Sequence, residues 1–364
     1  MKINFLIIRP DVDGGARVIT RHAKYLQDAG HDVTMLSLGR KKIKFKDQLR
    51  LLRRGEFRRT TQIYPQFYHD ARLNLVIHDF RDALTADDVP DADVTIATWW
   101  ETAEWLADLP ASKGAKVHFI QGHESRLEYV DYDRAAALHR APFHKIVVSQ
   151  WLRDAMIDEF GARDCVLVGN AVDADQFDFV PRDKKHTPTV GFVYSPVVSK
   201  NPALAFAACA DLRQKFPDLR VVSFGSHKPG HTETFPDWIE FHHRPAQQKI
   251  AEIYAACDVW LFTSDYEGFG LPILEAMACG TPVVATRAGA APELVDATVG
   301  ALVNSTSEAI VGAATKILKA DNTAWRKLSA NARARAAGYG WDDAGALFER
   351  ALRNFAKKTP REVE

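Results

Sequence analysis

The sequence has few cysteines and lacks the common metal-binding and nucleophile motifs. Its four cysteines are scattered through apolar runs without a Cys-x-x-Cys pair, which indicates reduced core residues in a cytosolic protein. Apart from His227 and His231, none of the 13 histidines forms a His-x-x-x-His pair, and none lies in a carboxylate-flanked cluster, so we expect no metal site. The chain also lacks a G-x-S-x-G elbow and a Walker lysine, which argues against a serine hydrolase or a P-loop nucleoside triphosphatase.

Long apolar runs and an excess of one charge are missing as well. The apolar stretch near the start ends at Arg9 and Pro10, so it is too short for a signal peptide or a membrane span and predicts a strand. No later segment reaches the roughly 18 apolar residues that a spanning helix needs. Lys plus Arg and Asp plus Glu both number 47, so we expect no general attraction to nucleic acid.

The order of strand-like and helical runs predicts two α/β domains. A chain of 364 residues is too long for one ordinary core, and alternating strands and helices imply parallel sheets with helices on both faces. We expect an N-terminal domain over 1–170, a linker over 171–188, a second domain over 189–340 and a closing amphipathic helix over 341–364. The predicted strands are 3–8, 31–38, 73–78, 94–98, 117–121, 146–149, 166–168, 189–193, 219–224, 238–241, 259–263, 282–285 and 301–303. The predicted helices are 16–29, 202–216, 247–256, 272–279, 307–319, 324–337 and 341–357.

The segment E-G-F-G-L-P-I-L-E, residues 267–275, is the most informative motif, because two acids bracket a glycine-rich turn that opens a helix. An apolar run predicts a strand before it, Pro272 suits the first helical turn, and Gly280 suits the helix end. Backbone N–H groups at the start of this helix would attract phosphate. The residues of that turn are Gly268, Phe269, Gly270 and Leu271.

The two acids of this motif predict contacts with sugar hydroxyls, because a carboxylate next to a phosphate is repelled. Glu275, expected in the first turn of the helix, would accept hydrogen bonds from the ribose hydroxyls. Glu267, in the turn, would face the transferred sugar. Alternatively, Glu275 only complements the helix dipole and Glu267 is an ordinary loop charge.

This strand, turn and helix with two acids resembles the retaining GT-B glycosyltransferases of family four, also called glycosyl transferases group 1. The resemblance implies two facing Rossmann-like domains and a C-terminal helix that crosses back to the first. It also implies transfer of a sugar from a nucleotide-diphosphate donor to a hydroxyl acceptor with retention, without a metal or another cofactor. We therefore expect a hexosyltransferase-type enzyme of bacterial polysaccharide or glycolipid synthesis.

The same resemblance suggests further donor-binding residues. The turn after the first strand contains Gly14 and Gly15, which resemble the glycine pair that the family places near the donor phosphates. The segment Y-S-P-V-V-S-K-N carries Lys200 where the family directs a lysine at the diphosphate. Ser195 stands where the family usually has an arginine, so one phosphate-binding charge is missing. Alternatively, Gly14 and Gly15 form an ordinary turn, and Lys200 is a surface lysine.

Residues for the N-terminal side of the site follow two predicted strands. His123, in the segment Q-G-H-E, resembles the family's histidine next to the transferring sugar, although a packed structural histidine remains an alternative. Trp99, Trp100 and Glu101 follow another strand and would form an acceptor pocket, since aromatic faces stack on sugars. Core packing explains at least one of the two tryptophans equally well.

A basic segment, residues 40–59, has ten positive and two negative side chains. Its apolar spacing permits an amphipathic helix that lies on anionic lipid or binds an anionic acceptor. A solvated insertion is the alternative. The reduced cysteines and the absence of long apolar runs favour a cytoplasmic protein. Contact of the basic segment with the inner face of the membrane is a further hypothesis. The expected partners are a nucleotide-sugar donor and a glycan or lipid-linked acceptor.

Two other functions fit much of the same sequence. A GT-B nucleotide-sugar epimerase would use the same phosphate site without an acceptor. A non-catalytic sugar-nucleotide-binding subunit would explain Ser195 in place of the arginine. Turnover with and without an acceptor separates the three hypotheses.

Overall fold

The structure, a computed structural model, divides the chain into two compact units. It describes residues 1–8, 14–39, 68, 71–127, 129–177, 180–228 and 235–358. Unit 1 comprises Met1–Val148, Arg153–Val168 and Asp342–Glu364, and unit 2 comprises Ser149–Leu152 and Gly169–Trp341. The residues predicted as a linker, 171–188, therefore group with unit 2.

Unit 1 contains a seven-stranded parallel sheet in the order β3-β2-β1-β4-β5-β6-β7. Its inner strands are buried on both faces, as the nearly continuous apolar runs predict. All seven strands of this half were predicted, with ends that differ by one or two residues. The strands are β1 Lys2–Ile7, β2 Asp32–Leu38, β3 Asn74–His78, β4 Val94–Ala97, β5 Ala115–Ile120, β6 His144–Val147 and β7 Cys165–Leu167.

The helices in this half include three that were not predicted. Helix α1, Gly14–Asp28, begins two residues earlier than expected and is followed by Gly30 in the left-handed conformation, with φ 84°. The helices missing from the prediction are α2 Trp100–Ala107, α3 Tyr132–Arg140 and α4 Gln150–Phe160. They are short, and α2 lies in the segment that was interpreted as a sugar site.

The closing helix α11, Trp341–Lys358, packs on unit 1, as predicted. The Phe348 ring stacks on the His22 ring of α1 at a centroid distance of 4.3 Å. Farther along α11, Phe355 stacks on His144 at 4.3 Å, and Glu349 contacts His31 at 3.0 Å. Aromatic packing and a hydrogen bond thus hold this helix on the N-terminal sheet domain.

Unit 2 contains a six-stranded parallel sheet in the order β10-β9-β8-β11-β12-β13. Its strands are β8 Thr189–Val193, β9 Arg220–Gly225, β10 Ile239–His243, β11 Val259–Phe262, β12 Val283–Thr286 and β13 Gly300–Val303. Its helices are α5 Pro202–Lys215, α6 Gln247–Ala256, α7 Leu271–Ala278, the short α8 Ala291–Leu294, α9 Ser307–Lys319 and α10 Asn322–Ala337. Each strand and each longer helix was predicted, and the doubly wound α/β fold class is confirmed.

Candidate functional site

The acidic loop, residues 263–270, connects β11 to α7 and contains Glu267. Gly270 is the residue before the helix and adopts the left-handed conformation, φ 100° and ψ 53°, which a side chain would strain. Pro272 follows at the second helical position, and Gly280, with φ 68°, comes just after the helix end. Because α7 begins at Leu271, Glu275 lies in the second helical turn and not in the first turn as predicted. Its carboxylate is thus one turn away from the helix N-terminus.

Glu267 and Lys200 form an ion pair in this loop. The Glu267 Oε1 atom accepts hydrogen bonds from Lys200 Nζ at 2.5 Å and from Ser264 Oγ at 2.9 Å. The Lys200 side chain is 36% exposed and the Glu267 side chain is 11% exposed, so the lysine is the more accessible partner of the pair. The sequence assigned these residues to different parts of the ligand, whereas the structure places them in direct contact.

The turn that carries Lys200 is fixed to the loop of Glu267. A 3-10 turn, Val198–Lys200, leads to Asn201, whose left-handed backbone, φ 48°, starts α5. The Asn201 side chain accepts from Leu204 N at 3.1 Å and donates to Asp265 Oδ2 at 2.7 Å. The Asp265 N–H also donates to Ser199 O at 2.8 Å. These bonds hold the lysine turn and the acidic loop in one arrangement.

Ser195, in place of an arginine, lies just after β8. Its Oγ accepts from the backbone N–H of Val197 at 3.3 Å, so the hydroxyl shapes its own turn. A hydroxyl carries no charge, and the strongest phosphate bonds are charge-assisted. Lys200 is therefore the positive side chain that this segment brings to the acidic loop.

Glu275 is held by a residue that the sequence did not reveal. The Tyr254 hydroxyl, on α6, donates to Glu275 Oε2 at 2.8 Å. Tyr254 is fully buried and its ring lies 4.3 Å from the Trp260 ring. The sequence pattern could not reveal this contact, because Tyr254 looks like an ordinary apolar residue of a helix and only the fold brings its hydroxyl to the Glu275 carboxylate.

His123 lies in unit 1 and is completely buried. Its Nε2 contacts Glu159 Oε2 at 3.0 Å, and its Nδ1 contacts Ser125 Oγ at 3.1 Å. Burial lowers the pKa of His123 below the usual value, while the bond with Glu159 raises it in part. Both ring nitrogens thus have protein partners, and contact with a sugar stays a prediction.

A cavity of about 400 Å³ opens at the carboxyl ends of strands β1, β4 and β5 in unit 1. Such a volume is within the range of ligand sites. Gln121 lines this cavity, and its Oε1 atom is buried without a hydrogen-bond partner among the described residues, which is unusual for a polar atom. The residues that line the cavity are Ile7, Ile8, Gly15, Ala16, Ile19, Tyr68, Thr98, Trp99, Gln121, Gly122 and Tyr129.

The glycine pair and the aromatic segment have different relations to this cavity. Gly14 and Gly15 are the first residues of α1, and Gly15 lines the cavity. Trp99 also lines it, whereas Trp100 is only 8% exposed and packs in the core under the Arg134 guanidinium, 4.8 Å from its ring centre. Glu101 is the second residue of α2 and is half-buried. Trp100 therefore has the position that core packing predicts.

Two of the expected absences concern the described part of the chain. Among the described residues, no group of three His, Cys, Asp or Glu side chains could hold a metal ion. Within the same ranges, no helix has both the length and the apolar character required to cross a membrane. The basic segment 40–59 lies outside the described residues.

Family models match both halves of the chain. Residues 12–176 match the model described as Glycosyltransferase Family 4, and residues 173–335 match the one described as Glycosyl transferases group 1. The O-antigen chain mannosyltransferase B of Escherichia coli is 37% identical over 108 residues, which are 29% of this chain and 28% of that protein. A D-inositol 3-phosphate glycosyltransferase of Corynebacterium diphtheriae is 30% identical over 180 residues, covering 45% of this chain and 42% of that protein. The matches thus span less than half of these relatives.

Solved structures share the fold over almost the whole chain. Sucrose-phosphate synthase from Thermosynechococcus elongatus superimposes with a TM-score of 0.73 and 16% identity, covering 97% of this chain and 98% of that chain. Anabaena HepE in complex with UDP-glucose gives a TM-score of 0.75 and 19% identity, covering 97% and 100%. At such identities the likeness shows the fold alone, which is GT-B. The two family models, each over slightly less than half of the chain, and this fold together support a GT-B glycosyltransferase of group 1.

Proposed function

We propose that the chain is a retaining hexosyltransferase that moves a sugar from a nucleotide-diphosphate donor to a hydroxyl acceptor. The observation that carries this proposal is the contact of Lys200 with Glu267 beside the start of α7, with Glu275 one turn farther along the helix. A cation, a helix N-terminus and two acids match the charge pattern of a diphosphate flanked by two sugar rings. The match to the group 1 family model supports the same class of reaction.

The diphosphate would bind between Lys200 and the start of α7. Gly270 in the left-handed region followed by helical Leu271 turns successive N–H groups toward one side, an arrangement that binds anions. The positive end of the helix dipole adds to this attraction. Lys200 would supply a charge-assisted bond that strengthens as the diphosphate leaves, so these groups can stabilise the leaving group without a metal.

The two acids would hold the sugar rings on either side of the diphosphate. Glu275, oriented by Tyr254, would accept hydrogen bonds from the ribose hydroxyls. Glu267 would exchange part of its contact with Lys200 for a hydroxyl of the transferred sugar, whose transition state resembles an oxocarbenium ion. His123 would orient the same sugar, and a phosphate oxygen would accept the proton of the attacking hydroxyl.

The acceptor would bind in the unit 1 cavity. Trp99 and the 75% exposed Tyr129 offer aromatic faces to a sugar ring, and Gln121 Oε1 offers an acceptor for one of its hydroxyls. A glycan or lipid-linked acceptor of bacterial polysaccharide or glycolipid synthesis agrees with the mannosyltransferase among the relatives. We place the reaction in the cytoplasm, at the inner face of the membrane.

A donor panel followed by a transfer assay tests this function. Thermal shift with UDP-, GDP-, ADP- and dTDP-sugars should select one nucleotide, and NMR of the glycoside should show the anomer of the donor. Sugar interconversion without an acceptor would instead indicate the epimerase. Nucleotide binding without transfer to any acceptor would favour the non-catalytic subunit, for which Ser195 is the supporting observation. Stabilisation by none of the nucleotides would contradict the proposal.

A further inference from the structure

The backbone carbonyl of Gly268, inside the acidic loop, accepts two side-chain hydrogen bonds. Ser149 Oγ donates at 2.7 Å and Trp151 Nε1 donates at 3.0 Å. Both donors belong to the short segment Ser149–Leu152, which groups with unit 2. Ser149 is completely buried, so its hydroxyl has little alternative in solvent.

Two further contacts fix the same segment. The Trp151 ring meets the Tyr266 ring edge-on, with centroids 5.5 Å apart. The backbone N–H of Gln150 donates to Glu293 Oε1 at 2.8 Å. Three consecutive residues therefore contact the acidic loop or the nearby helix α8, and we call residues 149–151 the clamp segment.

The next carbonyl of the loop, that of Phe269, is also held. Phe269 O accepts from the backbone N–H of Ala290 at 2.7 Å. The backbone at residues 289–290 can come this close to the Phe269 carbonyl because Gly289, with φ 60°, has no side chain. A Cβ at Gly289 would lie 2.5 Å from Phe269 O. Two successive peptide groups before α7 are thus fixed through their oxygens.

A fixed carbonyl also fixes the N–H of the following residue. The peptide group is planar and trans, so its C=O and N–H point in opposite directions. Bonds to Gly268 O therefore orient the N–H of Phe269, and the bond to Phe269 O orients the N–H of Gly270. The Gly270 N–H is one of the groups that the proposed function directs toward the diphosphate, and the Phe269 N–H precedes it by one residue in the same loop.

We propose that Ser149 and Trp151 are positioning residues that hold the Phe269 N–H in its phosphate-binding direction. The inference rests on the proposed function, since it assigns the clamp segment to the same donor site. Neither residue needs to touch the ligand. Without its two donors, the Gly268 peptide group could rotate, and the loop would lose phosphate affinity while the base and ribose contacts remain.

The test compares a phosphorylated ligand with its phosphate-free counterpart. Trp151→Phe removes the Nε1 donor but keeps a ring against Tyr266, and Ser149→Ala removes only the hydroxyl. Calorimetry with UDP and with uridine, and in parallel with GDP and guanosine, gives the affinities. We expect each variant to weaken binding of the diphosphate about three- to tenfold, as the loss of one hydrogen bond predicts, and to change nucleoside binding less than about twofold.

Controls separate this role from a general loss of structure. Trp238→Phe makes the same chemical change at a partly buried ring that packs against the core of unit 2 and under Arg213, and should change neither affinity. Equal weakening of the diphosphate and the nucleoside, or no weakening of either, would overturn the positioning role while the proposed function stands. Failure of the wild-type protein to bind any of the four nucleotides of the donor panel would instead overturn the proposed function.

Discussion

Because Lys200 and Glu267 form an ion pair, one substitution should change nucleotide affinity and turnover in opposite directions. Glu267→Gln keeps the shape of the side chain but removes the charge that Lys200 contacts at 2.5 Å. Because the ammonium is then available to phosphate, we expect affinity for the nucleoside diphosphate to rise about two- to fivefold. Turnover should fall about 10- to 100-fold, since the carboxylate no longer stabilises the sugar. Calorimetry and steady-state kinetics measure the two effects.

A matched control is available in the same unit. Glu240 contacts Arg220 at 2.5 Å on the exposed surface, and Glu240→Gln should alter neither binding nor turnover. An unchanged kcat in Glu267→Gln, or a loss of nucleotide affinity, would show that Glu267 does not have the assigned role.

Tyr254 should act on the nucleotide through Glu275. Tyr254→Phe keeps the buried ring but removes the hydroxyl that donates to Glu275 Oε2 at 2.8 Å. We expect the Kd of the nucleoside diphosphate to rise about three- to tenfold, and to rise further in Glu275→Ala. The double variant should bind no worse than Glu275→Ala alone, because both changes remove one coupled contact.

A double-mutant cycle by calorimetry checks this coupling. Tyr132→Phe, at an exposed tyrosine of unit 1, serves as the control and should leave the Kd unchanged. Additive effects of Tyr254→Phe and Glu275→Ala would mean that Tyr254 acts independently of the carboxylate.

At the residue scale, sequence motifs revealed the local part of the site and missed the distant part. Gly270, Pro272 and Asn201 could be interpreted from the sequence because each shapes backbone within a few residues of itself. Tyr254 contacts Glu275 of α7 and Trp151 contacts Gly268 of the acidic loop, from positions 21 and 117 residues away in the chain. No local pattern records such contacts, since they depend on the packing of whole elements.

At the element scale, the C-terminal helix α11 packs closely on α1 through a glycine. A Cβ at Gly345 would lie 2.3 Å from the Tyr25 ring. Alanine at a helical glycine normally stabilises by roughly 1 kcal/mol, whereas overpacking of this kind costs about 1–3 kcal/mol. We therefore expect Gly345→Ala to lower the free energy of unfolding by up to about 2 kcal/mol, measured by urea denaturation.

The control for this prediction is another helical glycine. Gly312, in α9, is exposed and has no atom within 4 Å of a Cβ position. Gly312→Ala should stabilise by up to about 1 kcal/mol. If both alanine variants are stabilised equally, then the close packing of α11 on α1 is not what constrains Gly345.

The elements themselves were predictable to different degrees. Strands such as β8 and β11 are continuous apolar runs between turn residues, so the sequence marks both their existence and their ends. Helix α2 was missed because its eight residues, W-E-T-A-E-W-L-A, place two tryptophans and two acids side by side. That composition suggests a binding site, and the core position of Trp100 becomes evident only when α3 supplies Arg134 above its ring.

At the scale of the whole molecule, a formal net charge of zero conceals a strong local imbalance. Residues 40–59 carry ten positive and two negative side chains, a net +8 that leaves −8 for the rest of the chain. An anionic membrane would therefore attract one segment and repel the remainder, so binding should depend on a few lysines and on salt. The composition of the segment predicts this attraction, but composition does not determine where the segment lies in the fold.

Vesicle co-sedimentation tests the role of this segment. We expect the full chain to bind vesicles with 30% phosphatidylglycerol at about 50 mM salt and to dissociate at about 500 mM, because the Debye length falls well below 10 Å. Replacing Lys41, Lys42, Lys44 and Lys46 with Gln should reduce binding at least tenfold, since each lysine near the surface contributes about 1 kcal/mol. The same change at the exposed residues Lys215, Lys249, Lys319 and Lys327 alters net charge equally and should preserve binding. If the two quadruple variants lose binding to the same extent, then net charge governs the attraction, and the basic segment has no particular part in it.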